Sequence, residues 1–242
     1  MKKSVIKVLL PVLSIFLISS CGINTVKVKE YKQTKRVALI SVYSQDSVDT
    51  KAVSGNPLLA FAVKAVQGNN GTDMLPKMNG VKAHILKEAP SIFGFEMIPE
   101  KQVINLKSYK AYSDSSKDLS NLVAPEGYKR IFPDEKEIIT KVLSQIKGAD
   151  AAMIFHLNAR AGESAIPGKA VIRVSMTFTL VNKNGEQILQ KTVDEEADGS
   201  ISCVKGIFNG GELGKKVVES IDKDLKAVSV WIKEELKKPQ KG

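Results

Sequence analysis

Cys21 stands where the chain's clearest chemistry is expected. Lys2, Lys3 and Lys7 give a cationic start, and an apolar run of 11 residues, Val8 to Ile18, follows. Small residues, Ser19 and Ser20, separate that run from the cysteine. A charged start, a short apolar core and a small-residue cleavage site are the layout of a secretory signal peptide. A membrane-spanning helix needs about 20 apolar residues, so the run is too short to cross a bilayer. The other groups that could react are sparse. His84 and His156 are the only histidines, too few and too isolated for a zinc site. His156 lies in an apolar stretch and reads as a core or edge histidine; His84 reads as an ordinary helix residue. Ser164, in Gly162-Glu163-Ser164-Ala165-Ile166, lacks the second glycine and the strand-to-helix context of a nucleophile elbow. Gly210-Gly211-Glu212-Leu213-Gly214-Lys215-Lys216 has Asn209 where a phosphate loop needs glycine and Lys216 where it needs Ser or Thr, so the glycines read as a turn before a helix. Glu195, Glu196 and Asp198 lack the spacing of a calcium loop and read as a solvated strand end. No catalytic residue, metal or cofactor is expected from these residues.

Ile18, Ser19, Ser20 and Cys21 resemble the lipobox of bacterial lipoproteins, an aliphatic residue three places before an obligatory cysteine. The resemblance implies cleavage between Ser20 and Cys21 and a diacylglycerol on the Cys21 thiol. It also implies a chain held to the lipid bilayer by that group. Gly22 follows the cysteine, where enterobacterial lipoproteins retained in the inner membrane carry aspartate, so the resemblance favours the outer membrane.

Removal of residues 1–20 would leave 222 of the 242 residues, enough for a substantial core without metal or disulfide. The formal charge falls from +10 to about +7 as three lysines leave with the signal. A basic surface suits anionic lipid or nucleic acid; export removes nucleic acid as an expected partner. With Cys21 carrying lipid, Cys203 is the one other cysteine, so no internal disulfide can form, and a semi-buried inert thiol is expected there.

Residues 21–35 read as a lipidated N-terminus and basic tether, with Lys27, Lys29, Lys32, Lys35 and Arg36 close to the lipid. Near an anionic leaflet each such cation can add about 1 kcal/mol of attraction; a merely solvated linker is the alternative. Residues 36–238 then form a single domain. Val37-Ala38-Leu39-Ile40-Ser41-Val42-Tyr43 is an apolar run of the kind that forms a strand buried on both faces. Asn56-Pro57 caps a helix to Gln67, apolar nearly all round. A second helix is expected from Leu75 to Ala89, stopped by Pro90, followed by a short strand in 94–99. Residues 100–134, rich in Lys, Ser and Asp, read as an irregular insertion with room for a small helix. Its Tyr109, Tyr112 and Tyr128 are candidates for a partner surface, as is Trp231. Ile138, Ile139, Val142, Leu143 and Ile146 space a helix that ends at Gly148. Ala151 to Leu157 is a second doubly buried strand. In the next one Ile172, Val174, Met176, Phe178 and Leu180 alternate with Arg173, Ser175, Thr177 and Thr179. Asn184-Gly185 marks a hairpin turn, and Gln187 to Ala197 returns. Leu213, Val217, Ile221, Leu225, Val228, Ile232 and Leu236 stripe a long amphipathic C-terminal helix, with Glu219–Lys223 and Asp222–Lys226 as supporting pairs. The fold class is therefore α/β (α+β): a mixed sheet with helices packed on it.

Four short stretches carry a further resemblance: Lys35 to Ile40, Phe95 to Pro99, Gly148 to Ile154 and Val174 to Gly185. They are similar to the α/β domain of curli-secretion-type lipoproteins, penicillin-binding-protein activators and the N-terminal domain of the Tol–Pal translocation protein. Curli-type pores insert hairpins into the outer membrane, but residues 100–134 lack the alternation over about 10 residues per strand that a barrel needs. The expected function is thus a membrane-anchored, non-enzymatic lipoprotein that binds another envelope protein. The alternative is a subunit of an oligomeric secretion or transport assembly, a homo-oligomer with residues 57–67 as a contact. A hydrolase would require His156 or His84 beside a nucleophile.

Overall fold

A computed structural model describes residues 24–54, 71–113, 119–204 and 207–239. The expected signal peptide, Ser20, Cys21 and the helix at 57–67 lie outside the described residues. In chain order the elements are β1 (Thr25–Val26), α1 (Val28–Gln33), β2 (Arg36–Gln45), α2 (Lys51–Ser54), α3 (Leu75–Phe93), β3 (Glu96–Met97), α4 (Glu100–Ile104), α5 (Lys107–Ala111), β4 (Leu122–Val123), α6 (Lys136–Gln145), β5 (Ala151–Glu163), β6 (Lys169–Asn182), β7 (Gln187–Glu196), β8 (Ile201–Val204), β9 (Ile207–Phe208) and α7 (Gly210–Glu235). The strands join in one mixed sheet of order β1-β7-β6-β5-β2-β3, with β4 also on β2 and β8 bridging β6 to β9. β2 runs parallel to β5 and β3, and every other pairing is antiparallel. This is the mixed α/β architecture that the hydropathy pattern calls for.

Both faces of the β2–β5 centre are covered, as the continuous apolar runs require. On one face α3 and α7 pack Met78, Val81, Ile85, Val217, Ile221 and Leu225 onto Leu39, Phe155 and Phe178. On the other, Ile139, Val142 and Leu143 of α6 join Val103, Tyr109 and Ile131 over Ala38, Ile40 and Ile154. Val103, Tyr109 and Ile131, from the stretch read as an irregular insertion, thus belong to the second core layer. These three residues are too widely spaced to show a period: Val103 and Tyr109 sit on separate short helices and Ile131 on a connecting stretch.

A break in register between Leu39 and Ser41 organises that layer. A bulge of this kind reverses the pleat, so Val42 joins the α3/α7 face and Tyr43 the α6 face. Tyr109 and Ser41 tie the bulge to residues 129–131. The Tyr109 hydroxyl donates to the Ile40 carbonyl at 2.7 Å and accepts from the Lys129 amide at 2.9 Å. The Ser41 hydroxyl donates to the Lys129 carbonyl at 2.9 Å and accepts from the Ile131 amide at 3.0 Å.

Two expected boundaries move. Pro90 does not stop α3, which runs on to Phe93 and closes at Gly94, whose φ of 73° is the left-handed cap that glycine adopts freely. An interior proline removes one helical hydrogen bond, but the last turn is held from outside. Phe93 stacks on Phe178 with ring centroids 4.7 Å apart, and Ser229 donates to the Ile92 carbonyl at 3.1 Å. The expected tether is also folded from Asn24 onward. β1 pairs with β7, α1 follows, and Tyr31 is buried with its hydroxyl on the Phe93 carbonyl. One buried tyrosine among five cations leaves no period to read, so a docked segment looks like a linker. The hairpin falls where Asn184-Gly185 places it; Gly185 has φ 74°, and a Cβ there would come within 2.9 Å of Lys136 on α6.

Candidate functional site

The bulge in β2 aims Tyr43 at the register partner of its neighbour strand, His156. Their rings stack with centroids 4.8 Å apart and 14° between planes, and Phe132 meets Tyr43 edge-on at 5.0 Å. Burial pushes the His156 pKa below its ordinary value, so the imidazole is neutral at pH 7. Burial, with Asp134 and Glu135 nearby, pushes the Tyr43 phenol well above its usual range. Beyond Phe132 the same wall opens into a groove of about 610 Å3 between α5 and α6. Ser108, Ala111, Tyr112 and Ser113 line one side, and Asp134 to Ile138 with Lys141 line the other. Tyr112 donates to the Glu135 carboxylate at 2.8 Å, and the other Glu135 oxygen accepts from the Phe132 amide at 2.8 Å. That carboxylate thereby ties α5 to the entry of α6. The groove offers both charges and a phenol edge.

The neutrality of His156 has a measurable consequence. In an NMR titration its ring is expected to protonate at a midpoint below 6.5, the ordinary histidine value. Between those two pH values the unfolded chain holds more protons than the folded one, so stability is lost as pH falls through that window. A midpoint at or above 6.5 would refute the buried stack.

The other expected reactive groups are accounted for by structure. His84 Nε2 faces the Asp222 carboxylate at 3.5 Å, between α3 and α7. Ser164 accepts from the Ile166 amide at 3.2 Å within its own loop. Among the described residues no hydrogen bond joins either histidine to a serine or cysteine, and no group of three or more His, Cys, Asp or Glu is placed to hold a metal ion. Asn209 caps α7, accepting from the amides of Gly211 at 2.9 Å and Glu212 at 3.2 Å, which occupies the donors a phosphate would use. Cys203 is buried on β8, a strand the sequence did not reveal because it is only four residues long. Glu196 pairs with Arg173 at 3.1 Å and Asp198 with Lys223 at 2.5 Å, so two of the three clustered acids are bound to neighbours. Lys223 is thereby taken from Glu219, which pairs with Lys216 at 2.7 Å instead; Asp222–Lys226 forms as expected, at 2.5 Å.

The aromatic candidates separate. Tyr109 is fully buried and Tyr128 is 7 % exposed, so neither presents a ring to a partner. For Tyr109 hydropathy gave no warning, because a phenol satisfied by backbone can sit in a core. Tyr112 remains half-exposed on the groove. Trp231 is half-exposed at the edge of the α7 stripe, with Lys191 Nζ 5.0 Å from the ring centroid.

One buried group escaped notice altogether. Asp224 of α7 lies on the apolar stripe and is fully buried against β7, accepting from the Glu195 amide at 3.0 Å. Burial, reinforced by the charges of Glu195 and Asp194, pushes its carboxyl up to about 9. One turn earlier the Ser220 hydroxyl accepts from the Val174 amide at 2.9 Å and donates to the Glu195 carbonyl at 2.5 Å, bridging β6 to β7.

No family model matches the chain. No curated protein matches it either. Among solved structures it is similar to lipoprotein GNA1162 from Neisseria meningitidis, at 16 % identity and a TM-score of 0.35, over 78 % of this chain and 96 % of that one. It is also similar to a candidate lipoprotein from Caulobacter crescentus CB15, at 16 % identity and a TM-score of 0.26, over 42 % of this chain and 81 % of that one. Both likenesses are distant.

Proposed function

We propose that the protein is a non-enzymatic lipoprotein, anchored to the bacterial envelope through acylated Cys21, whose α/β domain binds another envelope protein. The observation that carries the reading is the sequence Ile18-Ser19-Ser20-Cys21 at the end of a short apolar run with a cationic start. Acyl chains contribute about 0.8 kcal/mol per buried methylene, so two or three of them fix the chain to a bilayer without a spanning helix. Among the described residues no helix is long and apolar enough to cross a membrane. Gly22 favours the outer membrane as the destination. Binding, not turnover, is supported by a groove that joins Tyr112 and Glu135 in a hydrogen bond and by histidines held in a stack and a carboxylate contact.

Mass spectrometry of the mature N-terminus is expected to show a chain that begins at an acylated Cys21. Cys21→Ser is expected to move the protein from the membrane to the soluble fraction with its fold intact. An unmodified Cys21, or an intact first residue, would refute the anchor. The partner is expected to be captured by crosslinking from the groove in the native host, and loss of that crosslink on Tyr112→Ala would place the contact there.

A further inference from the structure

We propose that the face built by Trp231, Val230, Lys191, Lys233 and Lys237 lies against the headgroups of the bilayer that holds Cys21. The proposal rests on the lipid-anchor reading, and it starts from the way the N-terminus is seated. Thr25 and Val26 pair with Gln190 and Leu189 on the β7 edge. Asn24 accepts through its side chain from the Thr192 amide at 3.1 Å, and the Lys27 amide donates to the Ile188 carbonyl at 2.8 Å. The domain is therefore gripped within three residues of Cys21. Extended chain covers at most about 3.6 Å per residue, so three residues allow about 11 Å between Asn24 and the acylated cysteine. A domain on so short a leash cannot turn freely; the side that carries Asn24 must face the membrane.

What that side presents fits a lipid surface. Asn24 is seated at Thr192, next to Lys191, whose ammonium stands over the Trp231 ring at 5.0 Å. The ring is thus tied, through Lys191, to the same stretch of β7 that seats Asn24. Val230 is 56 % exposed, among the most exposed large apolar side chains described, and it adjoins Trp231. Lys233 and Lys237 follow Val230 at helical spacing and are exposed. Glu234 is the exposed acid among them, and Glu235 is paired with Lys238 at 2.6 Å, so cations predominate. Tryptophan with an apolar body and a polar edge settles at the headgroup level. Lys191 beside it, and Lys233 and Lys237 flanking Val230, can lay their stems on apolar surface while their charges meet anionic lipid. A solvent-facing helix end would gain nothing from this combination. A face held against a bilayer gains from each part.

Trp231 is the single tryptophan of the chain, so its fluorescence reports this face alone. The test uses the full-length protein, its Cys21 acylation verified by mass, in vesicles of phosphatidylethanolamine and phosphatidylglycerol. Matched vesicles carry acyl chains brominated near the headgroup end. Interfacial side chains reach about 5–10 Å into the boundary, so Trp231 is expected to lose on the order of half its emission to the bromine. Val230→Asp combined with Lys233→Glu should restore much of that emission while the protein still floats with the vesicles. Acylated protein that floats but shows equal emission in both vesicles overturns the orientation and leaves the anchor standing. A blue shift that grows with protein density and ignores bromine assigns the face to a second copy and also overturns it. A chain without acyl groups on Cys21 removes the anchor and this surface together.

Discussion

Asp224→Asn is expected to stabilise the protein at pH 7 by on the order of 2–4 kcal/mol, and to flatten its dependence on pH. The Asp224 carboxyl sits fully buried with its pKa pushed up to about 9, against 3.8 for the free side chain. Between those values the folded state keeps a proton that the unfolded chain has released. Stability therefore falls as pH rises through the window, by about 1.4 kcal/mol per unit where the two states differ by a whole proton. Below pH 4 both states are protonated and the group contributes nothing; above 9 the full cost of a buried charge is present. Asparagine keeps the acceptor for the Glu195 amide, 3.0 Å away, and has no proton to lose. Urea unfolding of both proteins from pH 5 to pH 9 measures the difference. Parallel curves across that range would show that Asp224 is not the group that sets the slope. Asp224→Ala is the informative contrast: it leaves the Glu195 amide unpaired in the core and should destabilise at every pH.

Asp224 also shows where the sequence is silent. The apolar stripe Leu213, Val217, Ile221, Leu225, Val228 and Ile232 announced α7, and all six are buried. Hydropathy assigns an aspartate in that stripe to the solvent side, and only the position of the Glu195 amide makes its burial bearable. The strands β2, β5 and β6 and the β6–β7 hairpin were legible for the same reason that α7 was: each repeats one pattern over many residues. What stayed hidden depends on single long-range contacts. The Ile40–Ser41 bulge leaves no mark in a run where every residue is apolar or small. Residues 100–132 show a tyrosine or valine at a time, each answering to a partner elsewhere in the chain. Of the candidate site, the anchor motif was plain because its signal is local. The α5–α6 groove was not, since it exists only once Glu135 has joined Tyr112 to Phe132.

Tyr109→Phe is expected to cost on the order of 1–3 kcal/mol, a large effect for the loss of one oxygen. The phenylalanine fills the same space, so no cavity opens. The removed hydroxyl, however, serves two backbone groups at once, the Ile40 carbonyl at 2.7 Å and the Lys129 amide at 2.9 Å. The Ile40 carbonyl cannot turn to water, because Ile40 is fully buried, whereas Lys129 is half-exposed. The cost of an unpaired buried donor or acceptor is about 1–3 kcal/mol, and the Ile40 carbonyl becomes one while the part-buried Lys129 amide loses its partner. A substitution elsewhere in the core would lower stability without moving the bulge. Loss of the Tyr109 hydroxyl should also loosen it, and with it the direction of Tyr43. The readout is therefore double: a lower unfolding midpoint in urea, and a His156 ring resonance that drifts from its stacked position as Tyr43 leaves it. A stability loss of that size with the His156 signal unmoved would place the hydroxyl in the core's cohesion alone. Both changes together would make Tyr109 the pin that holds the bulge, and through the bulge the wall from which the groove opens.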